Sequence, residues 1–271
     1  MKKVLVYLIF LILILSIPQK TTELTINWDA DNKDKKTYQW VENPNSIIDT
    51  SAIALVKAQK QDTTTNKWWE YPNVIYTTKR SGDDLLVLVN KQYKLPSSYA
   101  PKDLVKASKS GIRRGENYYL RSIVIPDLTK MVNDAKSEGV DLCIVSGYRS
   151  YQTQIDTYNY WLKMNNGNTS LVDTFSARAG HSQHQLGTAI DFSTNEIRDK
   201  LGDEFSNTKA SKWLSQNAYK YGFVISYPKG YENITGYKHE SWHYRYIGVE
   251  NAQNMINLGK ILELYLRDYN L

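Results

Sequence analysis

The four histidines of this 271-residue chain fall in two close pairs, at 181 and 184 and at 239 and 243, and each pair stands beside a carboxylate. The first cluster reads Ser182-Gln183-His184-Gln185-Leu186-Gly187-Thr188-Ala189-Ile190-Asp191. Gly187 permits a tight turn between a loop carrying His184 and a strand carrying Asp191. Asp191 sits among Ala189, Ile190 and Phe192, a setting in which a carboxylate is costly unless paired or bound to metal. The second cluster reads His239-Glu240-Ser241-Trp242-His243-Tyr244-Arg245. Together the clusters offer imidazoles, an aspartate and a free glutamate. Hydrolysis at zinc needs that kit: three N/O donors, a position left open for water, and a carboxylate base nearby. Cys143 is the only cysteine, which excludes both a disulfide scaffold and a Cys-rich zinc site.

Two other motifs compete for the same residues. His239-Glu240-Ser241-Trp242-His243 matches H-E-x-x-H, in which both histidines bind zinc from one helical face. Its surroundings oppose a helix: Gly230 and Gly236 precede it, and Tyr244, Tyr246 and Gly248 suit a strand and its end. In an extended segment at about 3.3 Å per residue, side chains four apart share a face but lie too far apart to chelate one ion easily. Gly180-His181-Ser182-Gln183-His184 begins like a G-x-S-x-G nucleophile turn, but His184 replaces the last glycine.

At these residues the sequence resembles the M15 family of zinc peptidases, in its VanY-type D-alanyl-D-alanine carboxypeptidase branch. S-x-H-x-x-G-x-A-x-D is met in full from Ser182 to Asp191, and E-x-W-H from Glu240 to His243. Ser146-Gly147-Tyr148-Arg149-Ser150 with Gln154 matches S-G-Y-R-S-x-x-x-Q, and Ser176-Ala177-Arg178 before Gly180 is also similar. Two departures are Gln183, where relatives often carry Glu, and Ala179, where Pro is usual; neither is a ligand position. The resemblance spans roughly residues 85–266. It implies that His184, Asp191 and His243 bind Zn2+ and that Glu240 is the general base. Arg149 would stabilise the oxyanion or hold substrate, helped by Gln154 and Ser182; a structural salt bridge is the other reading of Arg149. The implied reaction is attack of metal-activated water that releases the terminal D-alanine of a peptidoglycan stem peptide. L,D-carboxypeptidase or stem endopeptidase action within the same family, and a non-catalytic wall-binding module, are the alternatives. His181 and His239 are left as structural or rim residues, and Trp242 is expected to pack beneath the site.

The elements that must position these residues are legible from periodicity. Residues 85–90 (LLVLVN), 140–145 (VDLCIV), 187–193 (GTAIDFS) and 242–247 (WHYRYI) read as strands, with Cys143 an inert core residue. Residues 127–138, capped by Asp127 and stopped by Gly139, read as a helix, as do residues 151–164, 208–221 and 249–267. Helices and short strands mix without regular βαβ alternation, which predicts an α+β fold: a small antiparallel sheet with surrounding helices. The resemblance implies the Hedgehog/DD-peptidase-like version of it.

Upstream, residues 1–18 join Lys2 and Lys3 to a fourteen-residue run with only Ser16 polar, closed by Pro18. That predicts a signal peptide or N-terminal membrane anchor, hence export to the outer face of a bacterial membrane, the wall or the medium. Residues 19–84 are polar and read as a stalk or extension, with a short helix near residues 47–58; residues 85–271 read as the catalytic domain. The net charge of +6 comes without a dense Lys/Arg block, which excludes nucleic acid as the natural partner. The partners expected are peptidoglycan stem peptides, met by a monomer whose only membrane contact is the N-terminal segment.

Overall fold

The structure, a computed structural model, describes residues 67–270 and two further strands nearer the N-terminus. Those strands, β1 (Thr21–Trp28) and β2 (Lys36–Asn43), form an antiparallel hairpin within a separate unit, residues 1–65. The expected leader at residues 1–18 and the expected helix near residues 47–58 lie outside the described residues. The second compact unit begins at Asn66. Residues 67–84, read from composition as the end of a polar extension, therefore belong to it. β3 (Tyr76–Thr77) pairs there in parallel with β4 (Tyr93–Lys94), and Tyr76 stacks on Tyr93 at 5.8 Å. Among the described residues no helix is long and apolar enough to cross a membrane.

After the small antiparallel pair β5 (Leu104–Lys106) and β6 (Tyr119–Arg121), the chain builds a four-stranded antiparallel sheet. Its strands are β7 (Cys143–Ser146), β8 (Ala189–Ser193), β9 (Phe223–Ile225) and β10 (His243–Tyr246), in spatial order β7-β8-β10-β9. Alternation sorts each strand into two faces. Ile190 and Phe192 of β8, Tyr244 and Tyr246 of β10, and Phe223 of β9 enter one buried cluster. There Phe192 meets Phe223 at 6.2 Å and Tyr244 at 5.7 Å, edge to face. Two helices cover this face: α1 (Ile125–Ser137) with Leu128, Met131 and Ala135, and α3 (Lys209–Asn217) with Ala210, Trp213 and Leu214. The other face of β8 and β10 carries Asp191, His243 and Arg245. Between β7 and β8 lies α2 (Tyr151–Met164), whose first turn is capped by Ser150 accepting the Thr153 N–H at 3.1 Å.

The α+β fold is the one expected, and four local readings change. α1 starts at Ile125, not Asp127. Pro126 has no N–H to lose in a first turn, so the helix begins before it, and Asp127 instead accepts the Tyr246 hydroxyl at 2.8 Å. The helix over 208–221 is α-helical only to Asn217 and tightens into a 3-10 turn over Ala218–Tyr221. The closing helix is two, α4 (Val249–Asn257) and α5 (Leu262–Asn270), broken where Gly259 takes φ +62.

The fourth change is the most instructive. Residues 85–90 form no strand, although Val87, Leu88 and Val89 are buried. The run is wrapped by a side chain in place of a neighbouring strand. Asn270 of α5 accepts the Leu88 N–H at 3.2 Å and donates to the Leu86 carbonyl at 2.8 Å, from a position that is itself buried. One carboxamide thus reproduces the two-way pairing that a strand would supply. Asn270→Leu is expected to leave both backbone groups unpaired and to cost ~2–4 kcal/mol in urea unfolding. Activity per folded molecule should stay unchanged, since Asn270 lies outside the cleft.

Candidate metal centre and active site

Sheet register brings the first two candidate residues together. His243 of β10 stands directly opposite Asp191 of β8, and Ser146 of β7 faces Asp191 from the other side, across a bulge between Ile144 and Ser146. Directly opposed residues place their Cβ atoms about 5 Å apart on one face. His184 arrives from the turn that feeds β8. Residues Gln183–Leu186 make one 3-10 turn, capped by Ser182 Oγ accepting the His184 N–H at 3.3 Å and closed by Gly187 at φ +68. A Cβ on Gly187 would lie 3.0 Å from Arg121 Cγ and 3.1 Å from Leu104 Cδ2, so both conformation and space call for glycine. Gly147 serves differently: its carbonyl meets His184 Nδ1 at 2.7 Å, and a Cβ there would strike the Tyr119 carbonyl at 2.7 Å.

The result is a convergent donor set. One donor atom each from His184, Asp191 and His243 lies within 4.8 Å of the others, and all three residues are buried. His184 Nε2 is 3.2 Å from one Asp191 oxygen and His243 Nδ1 is 2.8 Å from the other. A carbonyl oxygen only accepts, so the Gly147 contact puts the His184 proton on Nδ1 and leaves Nε2 a lone pair. His243 Nε2 lies 3.1 Å from the Gln183 side-chain oxygen, so both nitrogens of this ring face an oxygen acceptor. Two imidazole nitrogens and a carboxylate converging on one point form a donor set suited to a cation among them. The residues therefore fit a zinc ion by the chemistry of the donor set. Charge agrees: burial lowers the His184 ring to about 4, keeping it neutral. Burial alone would raise Asp191, but the two rings outweigh it and hold the carboxyl well below its ordinary range.

Beside this set stands Glu240, with Oε2 3.9 Å from His243 Nδ1. A turn at Ser241–Trp242 separates it from β10, and that turn brings Glu240 back to the face its offset of three would otherwise deny it. Burial, and next the Asp191 charge, push the Glu240 carboxyl well above its usual range, with Arg149 pulling the other way. The H-E-x-x-H segment is not a helix: His239 Nδ1 contacts the Tyr227 carbonyl at 2.9 Å, outside the donor set. His181 is buried at the edge of the Tyr71 ring, with Nδ1 2.8 Å from the Asn90 carbonyl. Arg149 makes no ion pair within 4 Å among the described residues, so the salt-bridge reading has no partner. Its Nε is buried without an acceptor, and its charge faces Asp191 and Glu240.

Residues 117–249 match the VanY D-alanyl-D-alanine carboxypeptidase family. YodJ of Bacillus subtilis (strain 168), provisionally named a carboxypeptidase, is 38% identical over 190 residues, 69% of this chain and 69% of its own. The chain belongs to the VanY family. The D-alanyl-D-alanine carboxypeptidase of Enterococcus faecalis is 32% identical over 207 residues, 72% of this chain and 71% of its own. Among solved structures, the LD-carboxypeptidase LdcB superposes with a TM-score of 0.64 at 34% identity, covering 74% of this chain and 96% of LdcB. A mutant of the vancomycin-resistance D,D-pentapeptidase VanY, in complex with Zn(II), superposes at 0.56 and 31% identity, covering 69% of this chain and 99% of that one. This VanY-family chain is a zinc peptidase.

The donor set opens on a cleft of about 590 Å3. Gln154 lines it, donating to the Ala177 carbonyl at 2.6 Å while its Oε1 is buried without a partner. Ser182 lines it too, as do Trp161 and Phe175 on one wall and Asp203 beyond Leu201 on another. Trp242 is not wholly beneath the site: it packs on the core and also borders the cleft. Two contributors escaped sequence reasoning. Tyr227 stacks on the His243 ring at 5.0 Å, but it is one of 21 tyrosines and nothing local marks it. Gln183 was seen only as a departure from relatives, although its position beside His184 was the available signal. Metal analysis of purified variants checks the donor set. His184→Ala and Asp191→Ala should each lose the bound zinc, whereas His239→Ala should keep about one equivalent per chain.

Proposed function

We propose that this chain removes the terminal D-alanine from peptidoglycan stem peptides, with His184, Asp191 and His243 holding zinc, Glu240 as general base and Arg149 as oxyanion partner. The observation that carries the reading is Glu240: a half-buried carboxylate bordering the cleft beside the donor set, with no side-chain hydrogen bond among the described residues. A binding module has no use for a proton acceptor there. When bound, zinc supplies Lewis acidity and lowers the pKa of water to roughly 7. Glu240 takes the proton of the attacking water and returns it to the leaving amine. Arg149 brings a fixed positive charge to the oxygen that becomes negative. Its Nε is buried without an acceptor and the residue lines the cleft. Gln154 Oε1 and Ser182 offer polar contacts to the peptide end on the cleft wall.

Peptidoglycan lies outside the cytoplasmic membrane, so the work is done there. An N-terminal signal or anchor in residues 1–18 would deliver the enzyme, acting as a monomer. A second reading, L,D-carboxypeptidase action on tetrapeptides, is favoured by the likeness to LdcB. The two differ only in which stem is accepted.

Weighing the products from defined tripeptide, tetrapeptide and pentapeptide stems tests both. Loss of one alanine from the pentapeptide alone supports the D,D reading, and loss from the tetrapeptide alone supports the L,D one. Glu240→Gln should retain its zinc and fold yet lose about 10²–10⁴ of kcat. Arg149→Ala should lose on the order of 10²–10³. Near-parental turnover in Glu240→Gln would mean that another group is the base.

A further inference from the structure

We propose that Gln183 is the positioning residue that keeps the His243 ring in its metal-binding tautomer, and that Ser226 holds Gln183 in place. This rests on His243 being a zinc donor. The Gln183 side-chain oxygen accepts from His243 Nε2 at 3.1 Å and from the Ser226 hydroxyl at 2.7 Å, and all three residues are buried. Tyr227 lies over the ring at 28° between planes and limits its rotation.

The need for such a device follows from the other nitrogen. His243 Nδ1 is 2.8 Å from Asp191 Oδ1. If the proton sat on Nδ1, the ring would donate to Asp191 and the pair would be satisfied with no metal at all. That internal hydrogen bond competes directly with zinc. An acceptor at Nε2 draws the proton to the far side and frees the Nδ1 lone pair. His184 solves the same problem with a backbone acceptor, the Gly147 carbonyl at 2.7 Å, which no side-chain substitution removes. His243 depends on a side chain. A carboxamide does this without adding a third negative charge to a site that already holds Asp191 and Glu240.

The test compares zinc dissociation constants, by competition with a fluorescent chelator, for the full chain and for Gln183→Met, Gln183→Glu, Ser226→Ala and His243→Ala. Thermal midpoints of the metal-free proteins are measured in parallel. Loss of an outer acceptor of this kind typically costs 10–100-fold in metal affinity. Gln183→Met should weaken zinc by about that factor while the metal-free midpoint stays within a few degrees, because the ring then donates to Asp191. Gln183→Glu restores an acceptor and should bind zinc at least as tightly as the parent. Ser226→Ala should weaken zinc by only about 2–5-fold, one modest hydrogen bond removed at second hand. A residue that merely filled space would shift the midpoint and leave the affinity alone. Zinc affinity of Gln183→Met within threefold of the parent would overturn the proposal. Should that variant fail to fold, a Gln183→Glu protein that binds zinc tenfold more weakly would overturn it instead. His243→Ala keeps the two readings apart. If it retains zinc, the donor assignment itself has failed; if it loses zinc while Gln183→Met does not, only the role of Gln183 has.

Discussion

The buried carboxylate of Asp191 is the constraint around which this molecule is arranged. An isolated ionised carboxylate in a protein interior costs many kcal/mol, and the group neutralises unless opposite charge or strong hydrogen bonds meet it. Here it lies in the second strand of the sheet, faced by Ser146 on one side and His243 on the other, with His184 delivered from the preceding turn. The two nearest side chains are rings whose nitrogens present lone pairs. A divalent cation would accept both rings and the carboxylate at once.

Precision at the centre is inherited from the opposite face of the same strands. Ile190 and Phe192 lock β8 against α1 and α3, and Tyr244 and Tyr246 do the same for β10. Because the side-chain period in a strand is two, fixing the apolar residues fixes the polar ones between them. A slip of one residue would send Asp191 and His243 into the aromatic core, at a cost the fold could not absorb. The face that carries Asp191 and His243 is therefore held in register by the apolar residues of the opposite face. Of the three donors and Glu240, His184 and Glu240 come from outside the strands, and each enters through a short turn beside one: Gln183–Leu186 before β8, and Ser241–Trp242 before β10.

The legibility of the sequence follows the same division. The candidate site residues were legible through motifs that resemble a known family, while their convergence rests on the register of β8 with β10, which joins positions 52 apart. The need for a turn between Glu240 and His243 could be argued from the strand period alone. What misled was long-range or terminal chemistry. Residues 85–90 have the composition of a strand, but their partner is the Asn270 carboxamide, about 180 residues away. The start of α1 was displaced because Pro126 outweighs Asp127 as a first-turn signal. The reach of the folded unit back to Asn66 depends on contacts such as Tyr71 with His181, which composition does not reveal. Tyr227 and Gln183 act on His243 from distant or previously unassigned positions, and no spacing rule links either to residue 243.

One asymmetry remains between chemistry and specificity. The groups that would perform the reaction are strand-borne or strand-adjacent, with His184, Asp191 and His243 buried and Arg149 and Glu240 half-buried at the cleft. The cleft walls that would choose the stem come from elsewhere: Trp161 from the outer part of α2, Phe175 and Ala177 from the segment before the His184 turn, and Leu201 and Asp203 from the loop after β8. That loop is held by the forked guanidinium of Arg113, which grips Asp141 on one side and Asp199 on the other, with Arg198 and Asp199 in left-handed backbone conformations. A wall built this way can change length or residue type without disturbing the sheet. It follows that relatives with one metal site can differ in the peptide they trim, as the VanY and LdcB likenesses illustrate. In this chain the cleft walls are loops anchored to the sheet, so a change in them can alter the peptide accepted while the donor set stays in register.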